Sequence, residues 1–160
     1  MHVNIPGFKG GDRETIELPS IQSRLLAELK KAGKKIVFVN FSGSAIALTP
    51  ESKTCDAILQ AWYPGQAGGQ AVAEVLFGDY NPAGKLPLTF YRNLAQIPDF
   101  EDYNMTGRTY RYMKETPLFP FGHGLSYTTF KYGKLKMNDD KIAAGQNLNL
   151  VIPVTNTGSR

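Results

Sequence analysis

Asp99, Glu101 and Asp102 crowd into one short stretch, and carboxylates are the residue types from which a catalytic acid and base are made. Their setting, Pro98-Asp99-Phe100-Glu101-Asp102, reads as a solvated connector in preference to a catalytic pair. His123 lies between two glycines with no nucleophile motif to accompany it, and a structural or surface role is favoured. Ser42-Gly43-Ser44 does not form the G-x-S-x-G elbow of hydrolases. Gly65-Gln66-Ala67-Gly68-Gly69 lacks the Lys-Ser/Thr pair of a phosphate loop, and Gly84-Lys85 fails in the same way because Leu86 follows. Cys55 is the single cysteine, so an internal disulfide is impossible, and one Cys with two His argues against a structural zinc site. Asp12-Arg13 fits an ion pair that pins the start of the chain better than a direct substrate contact. Trp62 and Tyr63 carry ring faces able to stack on a sugar, with core packing the favoured reading.

The elements that must position these groups are centred on residues 57–89. Ala57-Ile58-Leu59-Gln60-Ala61-Trp62 is a short apolar run that fits a buried strand. Tyr63-Pro64-Gly65 breaks it, and the glycines at 65, 68 and 69 permit a tight turn. Ala71, Val72, Val75 and Leu76 then fall at helical spacing, with Gly78 at the C′ position. Asn81-Pro82-Ala83-Gly84 signals a turn, and Leu86 to Phe90 resumes an extended segment.

Upstream, Ile21, Leu25, Leu26 and Leu29 form the apolar stripe expected of a helix from Ser20, with Gln22, Arg24, Glu28 and Lys31 facing away. Gly33 ends it. Lys35 to Phe41 is β-branched and aromatic, the pattern of a buried strand, and Pro50 to Lys53 suits one helical turn. Helix, strand, strand, helix and strand in this order predict an α/β layer with a mostly parallel sheet. Arg108-Thr109-Tyr110-Arg111-Tyr112 alternates like a strand. From Tyr132 onward the alternation in Lys134–Met137 and Asn147–Val154, with turns at 138–140 and 156–158, is antiparallel β grammar. About two strands are expected there, which are marginal in isolation.

A chain of 160 residues, 42% hydrophobic, suits one folded domain or one domain and a piece of another. No apolar stretch approaches about 18 residues, so no membrane span is expected, and Met1-His2-Val3-Asn4 has neither part of a signal peptide. The net charge is +4. The only lysine clusters, Lys30-Lys31 and Lys34-Lys35, complement a helix C-terminus, so a solvated face is favoured over a nucleic-acid patch.

Five motifs, in order, carry a resemblance. These are Gly10-Gly11-Asp12-Arg13 before Leu18-Pro19, Val39-Asn40-Phe41-Ser42-Gly43-Ser44, Ala61-Trp62-Tyr63-Pro64-Gly65-Gln66 with Gly68-Gly69, Asn81-Pro82-Ala83-Gly84-Lys85-Leu86-Pro87, and Phe119-Pro120-Phe121-Gly122-His123-Gly124-Leu125-Ser126-Tyr127. Together they resemble the C-terminal half of glycoside hydrolase family 3. That family places a TIM-like barrel first, then an α/β sandwich, then often a fibronectin type III-like domain. The resemblance implies that residues 1–130 are most of the α/β sandwich. Residues 131–160 would be the first strands of a truncated fibronectin type III-like β-sandwich.

The resemblance further implies an exo-acting, retaining β-glycosidase acting on oligosaccharides or aryl β-glycosides, without a cofactor, metal, nucleic-acid or membrane partner. The nucleophilic Asp would lie on the upstream barrel and the acid/base Glu just upstream of Met1, so this chain alone would carry neither and be inactive. Asp12 and Arg13 are the residues expected nearest the substrate. Residues 103–112 look most like members with β-xylosidase activity, with β-glucosidase close behind, and the family suggests a periplasmic or secreted location. The alternative is a non-catalytic carbohydrate-binding or interaction module, with aromatics near 103–112 stacking on sugars.

Overall fold

A computed structural model describes residues 15–99 and 101–160. The α/β part begins with α1 (Ser20–Lys31), β1 (Val37–Asn40), α2 (Thr49–Thr54), β2 (Ala57–Gln60) and α3 (Gly68–Phe77). β1 and β2 pair in parallel with Val37 opposite Ala57 and Asn40 opposite Gln60. A parallel pair needs a crossover, and α2 supplies it. Leu18, Ile46 and Leu48 are buried together, with Leu26, Phe38, Ile58 and Leu118 packed around them.

Local chemistry explains the helix ends. Gly33 (φ +70°) follows α1, and Gly78 (φ +82°) takes the left-handed C′ position after α3, where a Cβ would be strained. The expected burial of α1 is corrected, however. Leu26 reaches the core, but Ile21 and Leu25 are about three-fifths exposed and Leu29 is exposed as well. Val37, at the start of the expected buried strand, is also exposed.

Two further expectations change. Leu86 to Phe90 does not join the parallel sheet. It lies antiparallel to 119–123 through isolated main-chain bonds, Phe90 N–H to the Phe119 carbonyl (2.9 Å) and Leu86 N–H to the His123 carbonyl (2.8 Å). Pro87 and Pro120 each remove a donor, which prevents a continuous ladder. Residues 109–112, expected as a strand, form the single helical turn α4 (Thr109–Tyr112).

The last segment is antiparallel, as its alternation predicted. It contains β3 (Phe130–Tyr132), β4 (Lys136–Met137), β5 (Leu150–Val151) and β6 (Val154–Asn156), paired β3–β6 and β4–β5. Every residue from 129 onward is exposed. Three contacts tie this end to α3 and the turn that follows it. The Tyr127 hydroxyl donates to the Val75 carbonyl (2.7 Å), Tyr127 N–H donates to Asn81 Oδ1 (2.7 Å), and Arg160 Nη1 donates to the Gly78 carbonyl (2.9 Å). Among the described residues, no helix is long and apolar enough to cross a membrane.

Candidate cleft wall at the strand carboxyl ends

The carboxyl ends of parallel strands are where open α/β sheets usually present ligand sites. Here β1 and β2 end in the paired Asn40 and Gln60. Asn40 is almost fully buried, and a buried amide is costly unless each polar group is matched. Its Nδ2 donates to Gln60 Oε1 (2.6 Å) and Ser42 Oγ (3.0 Å). Gln60 Nε2 donates to Ser42 Oγ (3.2 Å) and to the Ser42 carbonyl (3.3 Å). Ser42 Oγ donates to the Ser44 carbonyl (2.9 Å). The amides therefore fix the Ser42-Gly43-Ser44 loop above the sheet.

Beyond Gln60 the backbone turns sharply. Trp62 has φ +57°, a left-handed conformation that is costly for a bulky side chain. Its indole meets Phe90 edge-on with centroids 6.0 Å apart, and Phe90 is completely buried and meets Phe119 in turn. Trp62 is thus a core contact, as favoured from the sequence. Tyr63 goes the other way and is 79% exposed. Its ring rests against Gly43, where any Cβ would overlap it. Pro64 closes the turn against buried Gly68, whose Cβ would lie 2.6 Å from Pro64 Cγ.

The remaining candidates take structural roles. His123 stacks on Phe119 with centroids 4.9 Å apart, and its main-chain N–H donates to the Pro120 carbonyl (3.0 Å). Asp99 Oδ1 accepts the Glu101 N–H (2.9 Å), and Asp102 Oδ1 accepts the Asn104 N–H (2.9 Å) and side-chain amide (2.7 Å). Arg108 donates to the carbonyls of Asn104, Asp99 and Asp102. The Asn104 main-chain N–H, then its side chain, hold the Asp102 carboxyl below the usual range. A carboxylate so stabilised is a poor proton donor at neutral pH, and the loop is the solvated connector expected. Asp12 and Arg13 lie outside the described residues.

Sequence reasoning missed two carboxylates. Glu51 is buried in the first turn of α2, where its Oε1 accepts from Ser23 Oγ (2.6 Å). The Pro50-Glu51 pair signals a helix start, but not burial. Asp56 accepts the Ile36 N–H (2.9 Å), Lys35 Nζ (2.9 Å) and Lys30 Nζ (3.4 Å). Among the described residues, no group of three or more His, Cys, Asp or Glu is placed to hold a metal ion. Cys55 is half-buried, and burial pushes its thiol pKa up, with Glu51 and Asp56 adding to the shift.

Residues 4–127 match the model of the glycosyl hydrolase family 3 C-terminal domain. The chain is 62% identical over 160 residues to a xylan 1,4-beta-xylosidase of Xylanibacter ruminicola, covering all of this chain and 18% of that protein. It is 41% identical over 164 residues to a periplasmic beta-glucosidase of Salmonella typhimurium, covering 95% of this chain and 21% of that protein. A solved β-glucosidase from Erythrobacter marinus superposes with a TM-score of 0.80 at 43% identity, over 96% of this chain and 21% of that one. The chain thus spans about a fifth of the length of the relatives it matches. On the extent of that match and the shared fold, the chain belongs to glycosyl hydrolase family 3 and corresponds to its C-terminal domain.

Proposed function

We propose that this chain is the second-domain wall of a retaining β-glycosidase that removes terminal β-linked xylose or glucose from oligosaccharides. The observation that carries the reading is the 62% identity to a xylan 1,4-beta-xylosidase across the whole chain. Retention requires two carboxyl groups about 5–5.5 Å apart. One attacks the anomeric carbon while the other protonates the departing glycosidic oxygen. The second then takes a proton from the water that releases the sugar. Four carboxylates seen in detail suit neither role, since Asp99 and Asp102 cap turns, Asp56 is held by the Ile36 N–H and two lysines, and Glu51 is buried.

By resemblance to the family, the nucleophilic Asp belongs to an upstream barrel of the parent protein, and the acid/base Glu to a loop ahead of Gly10–Arg13, upstream of Met1. By the same resemblance, Asp12 and Arg13 are the residues of this chain proposed to lie nearest the substrate. Residues 1–130 form the α/β sandwich domain and 131–160 begin a fibronectin type III-like domain, a division supported by the change from parallel to antiparallel pairing. The wall's contribution is rigidity, supported by the matched amide network under Ser42–Ser44.

The test is hydrolysis of aryl β-xylosides and β-glucosides by the full-length parent, with the product anomer followed by NMR. Turnover of at least one, with retained configuration, is expected. A folded parent that hydrolyses neither overturns the reading, and affinity for oligosaccharides without turnover would favour a carbohydrate-binding module.

A further inference from the structure

We propose that Tyr63 is a sugar-stacking residue, its exposed ring forming a flat wall on which a pyranose unit of a β-linked oligosaccharide rests. This rests on the glycosidase reading above and adds a binding residue to it.

Four observations converge on Tyr63. The first is the separation of two neighbouring aromatics. Trp62 packs inward on Phe90, while Tyr63 leaves 79% of its surface open. The second is the strained backbone between them. A left-handed tryptophan persists only where its surroundings over-determine it, and such strain gathers at binding sites. The third is the seat of the ring. It lies against Gly43, in a loop that Ser42 and the two amides hold in place. A ring ordered before the ligand arrives loses little freedom on binding. The fourth is location, just past the carboxyl end of β2 and before α3.

The chemistry of a tyrosine in this setting selects a neutral ring with an apolar face. One face of a pyranose presents C–H groups, which pack on an aromatic ring, while its hydroxyls project from the rim toward polar neighbours. Tyrosine supplies a large contact area with only two side-chain torsions to order. Gln66, three residues on, is also exposed and offers an amide for hydroxyl contacts. The ring makes no distinction between pentose and hexose faces, so it serves xylose and glucose units alike.

The experiment compares wild-type parent enzyme with Tyr63→Ala, Tyr63→Phe and the control Phe77→Ala, a similarly exposed aromatic at the far end of α3. Tyr63→Ala is expected to raise KM for xylobiose and cellobiose about ten-fold with kcat little changed. Calorimetric titration with the same disaccharides should show the same loss. Tyr63→Phe should restore affinity to within about two-fold, and Phe77→Ala should bind as wild type. Unchanged affinity in Tyr63→Ala overturns the proposal. So does a fall in melting temperature with kcat lowered and KM unmoved, which would place the ring against another part of the parent. A wild-type parent that hydrolyses neither disaccharide would remove the glycosidase reading, while the titrations would still decide whether Tyr63 holds sugar.

Discussion

Asp56 sets the approach to β1, because its carboxylate accepts the Ile36 main-chain N–H as well as two lysines. Those lysines are exposed, so the main-chain bond matters most. That bond first, and Lys35 second, hold the Asp56 carboxyl far below the usual carboxylate range. A folded-state pKa below the unfolded one, near about 3.9, contributes stability that is complete above the unfolded value and is lost as pH falls toward the folded one. The melting temperature should therefore fall more steeply between about pH 4 and pH 2 in wild type than in Asp56→Asn, followed by circular dichroism. Parallel curves would remove Asp56 from the acid response. This role was not legible in the sequence, because the three partners lie 20 to 26 residues away. Trp62 and Tyr63 were legible as a pair of interest. Which one faced the core depended on a backbone angle that no residue type announces.

At the scale of elements, the start of α3 makes a sharper test than its length. Gly68 and Gly69 are adjacent and both helical, yet their surroundings differ. A Cβ on Gly68 would sit 2.6 and 2.7 Å from the Pro64 ring, whereas one on Gly69 meets nothing within 4 Å. Gly68→Ala should destabilise by about 1–3 kcal/mol, since the proline ring cannot yield as a flexible chain would. Gly69→Ala should stabilise by about 0.4–1 kcal/mol by restricting the unfolded chain. Urea denaturation of the two variants measures both, and equal signs would mean that Pro64 does not constrain the turn. α1, β1, β2 and α3 could be read from sequence because periodicity and glycine stops are local signals. Residues 109–112 could not. Five alternating residues are too few to separate a strand from a turn of helix, and Arg108 was already committed to loop carbonyls.

For the molecule as a whole, the decisive feature is how little of α1 is covered. Ile21, Leu25 and Leu29 match the apolar stripe read from sequence, but they stay exposed and only Leu26 of the stripe packs against this chain's core. Leu25→Ala should cost under about 0.5 kcal/mol in this chain alone, and about 2–5 kcal/mol in the full-length parent on the proposal that a neighbouring domain covers the stripe there. Thermal melting of both forms checks the contrast, and equal costs would mean the stripe stays open in the parent. The link between Arg160 and Gly78 bears on time rather than shape. Its two ends are 82 residues apart. Closing a loop of that length costs about 4 kcal/mol beyond a fixed term. A single hydrogen bond from a charged donor contributes only about 1.5–3 kcal/mol. The link therefore cannot start the folding of the chain. It is expected to close only after α3 has formed and β3 has found β6, and to open before them. Amide exchange should follow that order, with Gly133, bonded to Pro153, exchanging sooner than Ala61, bonded to Asn40. The reverse ranking would put the late strands in the folding nucleus.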